Sequence, residues 1–132
     1  MSRTNLELVQ AAFDAYFRGD EAALLALVAA DFVVTQFPEQ VDTVDYHGHE
    51  GLRRVMADWT GSWEDWSIEI LDARECGDVV LARARQRGRG KASGAPMEAE
   101  ATFAFTVHGG SIARWRMFSS EEQALEALGL AG

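Results

Sequence analysis

Two glutamates occupy alternate positions of the stretch GAPMEAEATFAF, residues 94 to 105. If this stretch is a β-strand, Glu98 and Glu100 share one face and Phe103 and Phe105 share the other, because strand side chains alternate with a period of two. A carboxyl group enclosed by apolar side chains has a raised pKa and can act as an acid at neutral pH. If the phenylalanine face is the buried one, both glutamates are solvated instead. The pattern leaves both interpretations open for Glu100.

His47 and His49 form a metal-like cluster with Asp45 and Glu50. Two histidines at this spacing need at least one further ligand from elsewhere in the chain, and His108 belongs to a distant predicted turn. We therefore predict no metal and no other cofactor. Because imidazole titrates near neutral pH, His47 is a candidate base if it borders a pocket.

Five of the twelve basic residues share one parity of a predicted strand and turn: Arg83, Arg85, Arg87, Arg89 and Lys91. A nucleic-acid surface would need interleaved aromatic residues on a basic protein. We predict an outward-facing ladder that cross-strand acids such as Glu69 neutralise. The segment RGRGKASG leads into a strand rather than a helix, which favours a hairpin connection over a phosphate loop.

The chain has 132 residues, 48% of them hydrophobic, which predicts one compact domain over residues 1–132. Its formal charge of −9 would repel nucleic-acid phosphates and anionic membrane surfaces, so we expect neither as a partner. Cys76 is the one cysteine, and the sequence shows no signal peptide and no long apolar run. These features predict a cytoplasmic protein.

The elements that would position these residues follow from periodicity. A capping box of Thr4 and Glu7 opens a first helix that ends near Arg18. A short second helix, EAALLALVAA, gives way at Asp31 to the strand-like FVVTQF, and HGHEGLRRVMADWTGSW predicts a third helix. The period then changes to two, which predicts an antiparallel meander of four strands: WSIEILDARE, VVLARARQRG, MEAEATFAFTV and SIARWRMFS. A last helix, EEQALEALGL, is predicted to be capped by Ser119 with Glu122.

Helices followed by a curved antiparallel meander indicate an α+β domain whose helices cover one face of the sheet. This order, with the segments FRGDEAALLALVAADFVV, YHGHEGLRRVM and GSIARWRMF, resembles the nuclear transport factor 2-like superfamily, and within it the SnoaL-like proteins. The resemblance covers nearly the whole chain and implies a cone-shaped, cystatin-like fold. It also implies a homodimer formed through the sheet and an apolar pocket between sheet and helices.

The resemblance to ketosteroid isomerases places Glu100 at the position of a protonated carboxylic acid that donates to the substrate oxyanion. The other parts of that machinery are missing, because the proton-shuttling aspartate corresponds to Gln36 and the oxyanion tyrosine to Ala12. Tyr16 lies one helical turn further on, where it either reaches the cavity or packs in the core. The carboxylate of the limonene epoxide hydrolases corresponds to Met117, which excludes their mechanism.

The same resemblance implies which residues line the pocket. On the strands these are Val80, Ala82, Ala84, Trp115 and Met117, with Gln86 on the same face. The helices supply Phe13 and Phe17. The tryptophans spaced four and three apart either cover the sheet or wall the pocket mouth, and we predict ligand contact for Trp59 and Trp63 in this cluster with Trp66.

Two functions remain open. One is a pocket for a small apolar or carbonyl-bearing ligand with cofactor-independent acid–base catalysis of the isomerase, cyclase or dehydratase type. In it, Glu100 is the acid, and Tyr16, Gln36 and His47 orient the substrate. The alternative is a non-enzymatic dimeric module that binds a metabolite or a protein.

Overall fold

The protein is described from a computed structural model that covers residues 4–35 and 46–129, with the side chains of Trp59, Thr60 and Ser62 excepted. The helices within these ranges are α1 (Asn5–Phe17), α2 (Glu21–Ala26), α3 (Gly48–Ser62) and α4 (Glu121–Leu128). The strands are β1 (Val28–Thr35), β2 (Tyr46–His47), β3 (Trp63–Cys76), β4 (Val79–Gly90), β5 (Pro96–His108) and β6 (Ser111–Phe118). The predicted α+β class is confirmed. None of these helices is long and apolar enough to cross a membrane.

Helix α1 begins where the sequence predicts. The Thr4 hydroxyl accepts a hydrogen bond from the Glu7 backbone nitrogen, and the Glu7 carboxylate accepts one from the Thr4 backbone nitrogen. This capping box satisfies two backbone donors that the first helical turn leaves unpaired. The face of α1 turned to the sheet is made of residues at helical spacing: Leu8, Val9, Ala12 and Ala15.

The six strands form one sheet in the order β2-β1-β6-β5-β4-β3. Strands β3 to β6 pair antiparallel with their sequence neighbours, which confirms the predicted meander. Strand β1 pairs parallel with β6, and the two-residue β2 extends that edge. The segment between β4 and β5 is a hairpin turn closed by a hydrogen bond from the Gly90 nitrogen to the Ala95 oxygen, so it is not a phosphate loop.

Two register shifts bend β3, one between Glu64 and Ser67 and one between Ile70 and Asp72. At the first, Asp65 adopts a positive φ of 53°. Gly88 of β4 lies beside this bulge, where a Cβ would stand only 3.4 Å from the Trp66 Cα. Bulges bend a strand and redirect its side chains, and a glycine opposite them permits the close backbone approach.

The main core lies between the inner face of the sheet and helices α1, α2 and α3. The N-terminal helices cover the inner face, as predicted, whereas helix α4 packs on the opposite, outer face. Its apolar residues, Ala124, Leu125 and Leu128, contact an outer-face cluster of Leu81, Ala104 and Phe118. Because α1 to α3 already cover the inner face, α4 buries its apolar side chains against the outer face instead.

Three predicted boundaries are corrected. Helix α2 ends at Ala26 and β1 begins at Val28, because the Ile112 nitrogen donates to the Leu27 oxygen and draws this segment into the sheet. Trp63 opens β3 rather than closing α3. The cap of α4 is Ser120, whose hydroxyl accepts from the Gln123 nitrogen, and not Ser119.

The outer face of β4 carries the predicted arginine ladder. Arg83 donates to Asp72 at 2.8 Å, and this hydrogen bond lowers the pKa of the Asp72 carboxyl. Arg85 and Arg87 both approach Glu98, at 3.7 and 3.2 Å. Glu69, the predicted partner, lies opposite Arg85 in the register, but Asp72 and Glu98 make the ion pairs.

Candidate ligand-binding cavity

A cavity of about 100 Å³ lies between the helices and the inner face of the sheet. The strands line one side of the cavity and the helices line the other, so the bulged strand β3 and helix α1 together set the width of the cavity. Its described lining residues are Val9, Ala12, Phe13, Tyr16, Leu24, Val28, Phe32, Leu52, Val55, Met56, Trp66, Ile68, Gln86, Phe103, Phe105, Ile112, Trp115 and Met117. An apolar protein cavity of about 150 Å³ remains dry and admits benzene, so this smaller cavity suits a molecule of at most about one ring.

Aromatic rings in mutual contact form one wall of the cavity. Phe105 stacks on Trp115 with ring centroids 5.8 Å apart, and Phe103 meets the same indole edge-on at 5.2 Å. Phe13 of α1 closes on Phe105 edge-on at 5.5 Å. Offset and edge-to-face pairs of this kind stabilise one arrangement of the rings. The wall is therefore preformed and apolar.

The accessible polar groups of the lining gather around Trp66. The indole Nε1 of Trp66 donates to the side-chain oxygen of Gln86 at 3.2 Å. The ring of Tyr16 lies edge-on to the same indole, with centroids 6.2 Å apart. Because the bulge in β3 turns Trp66 over the cavity, Trp66 joins Tyr16 of α1 to Gln86 of β4.

Among the described lining residues, Tyr16 is the one whose side chain ionises as an acid or base. Burial raises the pKa of the Tyr16 hydroxyl above its ordinary value of 10.0, because desolvation disfavours the phenolate. The group is therefore a neutral phenol at physiological pH. It can donate a hydrogen bond but cannot take up a proton.

Trp115 adds a buried donor. Its indole Nε1 is shielded from solvent and has no hydrogen-bond acceptor within the described part of the chain. An unpaired buried N–H costs about 1–3 kcal/mol of folding free energy. The lining thus holds a polar group that only an acceptor from outside the described residues would satisfy.

A family model for the SnoaL-like domain matches residues 9–115, which is most of the chain and includes every described lining residue of the cavity except Met117. The chain belongs to the SnoaL-like family. No curated protein matches it.

Solved structures confirm the nuclear transport factor 2-like fold of this SnoaL-like protein. An NTF2-like protein from Burkholderia thailandensis superimposes with a TM-score of 0.80 at 21% identity, over 96% of this chain and 98% of the other. A putative SnoaL-like polyketide cyclase from Jannaschia sp. gives 0.75 at 18% identity, over 100% and 99%. A Catenulispora acidiphila protein with a ketosteroid isomerase-like fold, solved with trimethylamine, gives 0.71 at 23%, over 97% and 96%. These identities establish the shared fold alone.

In this SnoaL-like chain, Glu100 is exposed on the outer face of the sheet, so its expected place in the cavity is wrong. Phe103 and Phe105 occupy the inner face, where they align with Ala82 and Val80 of β4. Strand β5 therefore buries the face that carries its phenylalanines, which is the outcome expected from simple hydrophobic patterning. The resemblance had assigned the other face of β5, the one that carries Glu100, to the cavity.

The other predicted catalytic residues do not meet in the cavity. Tyr16 lines it, whereas His47 is exposed at the start of α3 and lies outside the lining. Gln36 lies outside the described residues. His49 bonds through its Nε2 to the Val28 oxygen at 2.9 Å, and no metal-like cluster is found among the residues that the structure describes.

The predicted ligand-contact residues divide into three groups. Those that line the cavity are Phe13, Trp115 and Met117. Those that are buried on the same sheet face without reaching the lining are Val80, Ala82 and Ala84.

The third group lies away from the cavity. Phe17 is 51% exposed, one position past the face of α1 that meets the sheet. Trp63 is half-buried opposite Gly90, on the inward parity of β4, but it lies outside the lining. The side chain of Trp59 is outside the described residues.

Gln86 is the site residue that the sequence interpretation placed on the inner face without giving it a role. It is only 5% exposed, and a polar side chain at that depth within an alternating strand needs a partner. The signal was present in VVLARARQRG, where glutamine occupies an inward position and Gly88 marks the bulge that brings Trp66 over it.

Proposed function

We propose that this SnoaL-like protein binds a small, uncharged, largely apolar molecule of about one ring in the cavity between α1 and the sheet. The observation that supports this is the lining itself, which combines contacting aromatic rings with a few neutral polar groups and, in its described part, no charged side chain. Charged ligands would lose their hydration without gaining a counter-charge there. A neutral apolar molecule gains by leaving water.

Acid–base catalysis is not part of this proposal, because the described lining offers no carboxylate, imidazole or amine as a base. Tyr16, with its raised pKa, cannot abstract a proton near neutral pH. Binding without turnover is the alternative that the sequence had left open.

Two tests address the proposal. Benzene should perturb the NMR resonances of lining residues such as Trp66 and raise the free energy of unfolding, by about 2.7 kcal/mol at a hundredfold excess over Kd. Ala12→Phe fills the cavity from α1 at a cost of about 1–3 kcal/mol and should abolish both effects. Gln10→Phe, on the exposed side of the same helix, is the matched control and should leave both intact.

Absence of any perturbation by benzene in the wild-type protein would overturn the proposal. So would equal perturbation in the Ala12→Phe variant. If Ala12→Phe does not fold, Ala12→Leu fills the same space with a smaller side chain and is judged by the same criterion.

The proposal includes association of two copies through the outer face of the sheet. What supports it is self-complementary charge. Arg114 and Arg116 have no carboxylate within ion-pair distance among the described residues, and neither Glu69 nor Glu100 forms an ion pair within that distance there, although Glu100 lies near enough to Arg83 for a favourable coulombic interaction with its guanidinium. Sedimentation velocity should show a dimer that Arg116→Glu dissociates, and a wild-type monomer at every concentration would overturn this part.

A further inference from the structure

The unpaired polar groups of the cavity lining can all donate a hydrogen bond. Gln86 meets Trp66 through its side-chain oxygen, and an indole N–H can only donate, so the orientation of the amide is fixed by chemistry. The amide nitrogen of Gln86, a residue of the lining, then has no acceptor among the described residues. The amide therefore offers the cavity a donor and not an acceptor.

Trp115 has the same character, and the Tyr16 hydroxyl can also donate, although its oxygen can accept as well. The Tyr16 hydroxyl makes no hydrogen bond to another described residue, and desolvation keeps its proton in place. The Trp115 Nε1 is a donor by necessity and is also unpaired within the described chain. Tyr16 and Gln86 flank Trp66, whereas Trp115 belongs to the wall formed with Phe105.

We propose that Gln86 is the residue that selects the ligand, with Trp66 as its positioning residue, and that the ligand carries a neutral acceptor oxygen such as a ketone or aldehyde carbonyl. The inference rests on the proposed function, since it names the class of molecule that the same cavity takes. An ammonium ligand would find no counter-charge among the described lining residues. A hydrocarbon would leave the donors unpaired.

The bulge in β3 gives Trp66 its part in this selection. Without the hydrogen bond from the indole, the Gln86 amide could rotate and present its oxygen instead, which would remove the preference for an acceptor. Asp65 at positive φ and Gly88 at close approach hold the indole over the amide. The ligand preference set by Gln86 of β4 thus depends on the backbone bulge in the neighbouring strand β3.

The test compares two probes of the same shape, cyclohexanone and methylenecyclohexane, which differ in a carbonyl oxygen against a methylene group. The dissociation constant of each is measured by NMR titration, and their ratio, hydrocarbon over ketone, is the selectivity. Gln86→Leu should lower this ratio about tenfold, which corresponds to loss of one neutral hydrogen bond. Trp66→Phe keeps an aromatic ring but removes the indole N–H that donates to Gln86, and it should also lower this ratio.

Ile68→Leu is the matched control, because Ile68 lies opposite Gln86 in the register and also lines the cavity. It should shift the affinities of both probes together and leave their ratio unchanged. A merely structural role for Gln86 or Trp66 would produce this same pattern in their variants, so the ratio separates the two roles.

The outcomes are distinguishable from failure of the proposed function. If both probes bind and Gln86→Leu keeps the wild-type ratio, the role of Gln86 is overturned while ligand binding stands. If neither probe binds the wild-type protein, the proposed function and this inference fall together. Should Gln86→Leu fail to fold, the double variant with Trp66→Phe removes both partners of the bond and must show the same loss.

Discussion

Glu100 lies directly opposite Arg85 in the antiparallel register of β4 and β5, on the face of the sheet turned away from the cavity. Gln86, the next residue on β4, lies on the inner face and bonds to Trp66. Adjacent positions of β4 thus separate a solvated ion-pair surface from the buried lining. Glutamate and glutamine are nearly isosteric. The effects of Glu100→Gln on the outer face and of Gln86→Glu on the inner face therefore report how each environment tolerates a negative charge.

On the outer face, Glu100→Gln should change the free energy of unfolding by no more than about 0.5 kcal/mol, because the side chain is exposed. Binding of benzene should also be unchanged, since Glu100 does not line the cavity. Chemical denaturation and NMR titration measure the two quantities. A loss of probe binding in this variant would restore Glu100 as a cavity residue.

On the inner face, Gln86→Glu should be destabilising at neutral pH, because a buried carboxylate has no cation in the described lining. Burial raises the pKa of such a carboxyl in the folded state above the value of about 4.3 in the unfolded state. The variant should therefore approach wild-type stability below that pH and lose it as the pH rises through the folded pKa. Urea denaturation at several pH values measures the free energy of unfolding of this variant and of the wild-type protein. Glu100→Gln on the outer face is the matched variant. A difference between Gln86→Glu and wild type that does not change with pH would contradict the prediction.

The residues that were predictable from the sequence are those governed by local pattern. The capping box of Thr4 and Glu7, the period-two strands and the αL cap at Gly129 all depend on neighbours in the chain. The parity of β5 does not, because Glu98 and Phe103 describe two alternating faces and only packing decides which is buried. The pattern left both faces open, and the resemblance to ketosteroid isomerases favoured burial of the glutamate face, which is the exposed one.

The site is less predictable because its parts meet across the sheet. The contact of Trp66 with Gln86 depends on the bulge at Asp65, and the early start of β1 depends on pairing with Ile112. Both are tertiary effects that override local propensity. Gly88 signalled a bulge in β4 or its neighbour, but not which tryptophan it would turn inward.

Tyr16 should titrate above the ordinary tyrosine value, because its burial disfavours the phenolate. A folded-state pKa above the unfolded one contributes stability that is fully present below the unfolded pKa of about 10 and is lost as the pH rises through the folded pKa. The difference between the alkaline titrations of tyrosinate absorbance in the wild-type protein and in Tyr16→Phe isolates the ionisation of Tyr16. A midpoint above the ordinary value of about 10 confirms the raised pKa, and a midpoint at or below that value contradicts it.

Helix α4 gives a matched pair of adjacent serines. The Ser120 hydroxyl caps the helix by accepting from the Gln123 backbone nitrogen at 3.1 Å, whereas at Ser119 the backbone nitrogen, which alanine retains, donates to the Gln123 side chain. Ser120→Ala should therefore lower the free energy of unfolding by about 0.5–2 kcal/mol. Ser119→Ala should have almost no effect, since it removes no hydrogen bond that the structure shows. Urea denaturation of both variants decides between the two caps, and the reverse order of stabilities would support the capping box of Ser119 with Glu122 instead.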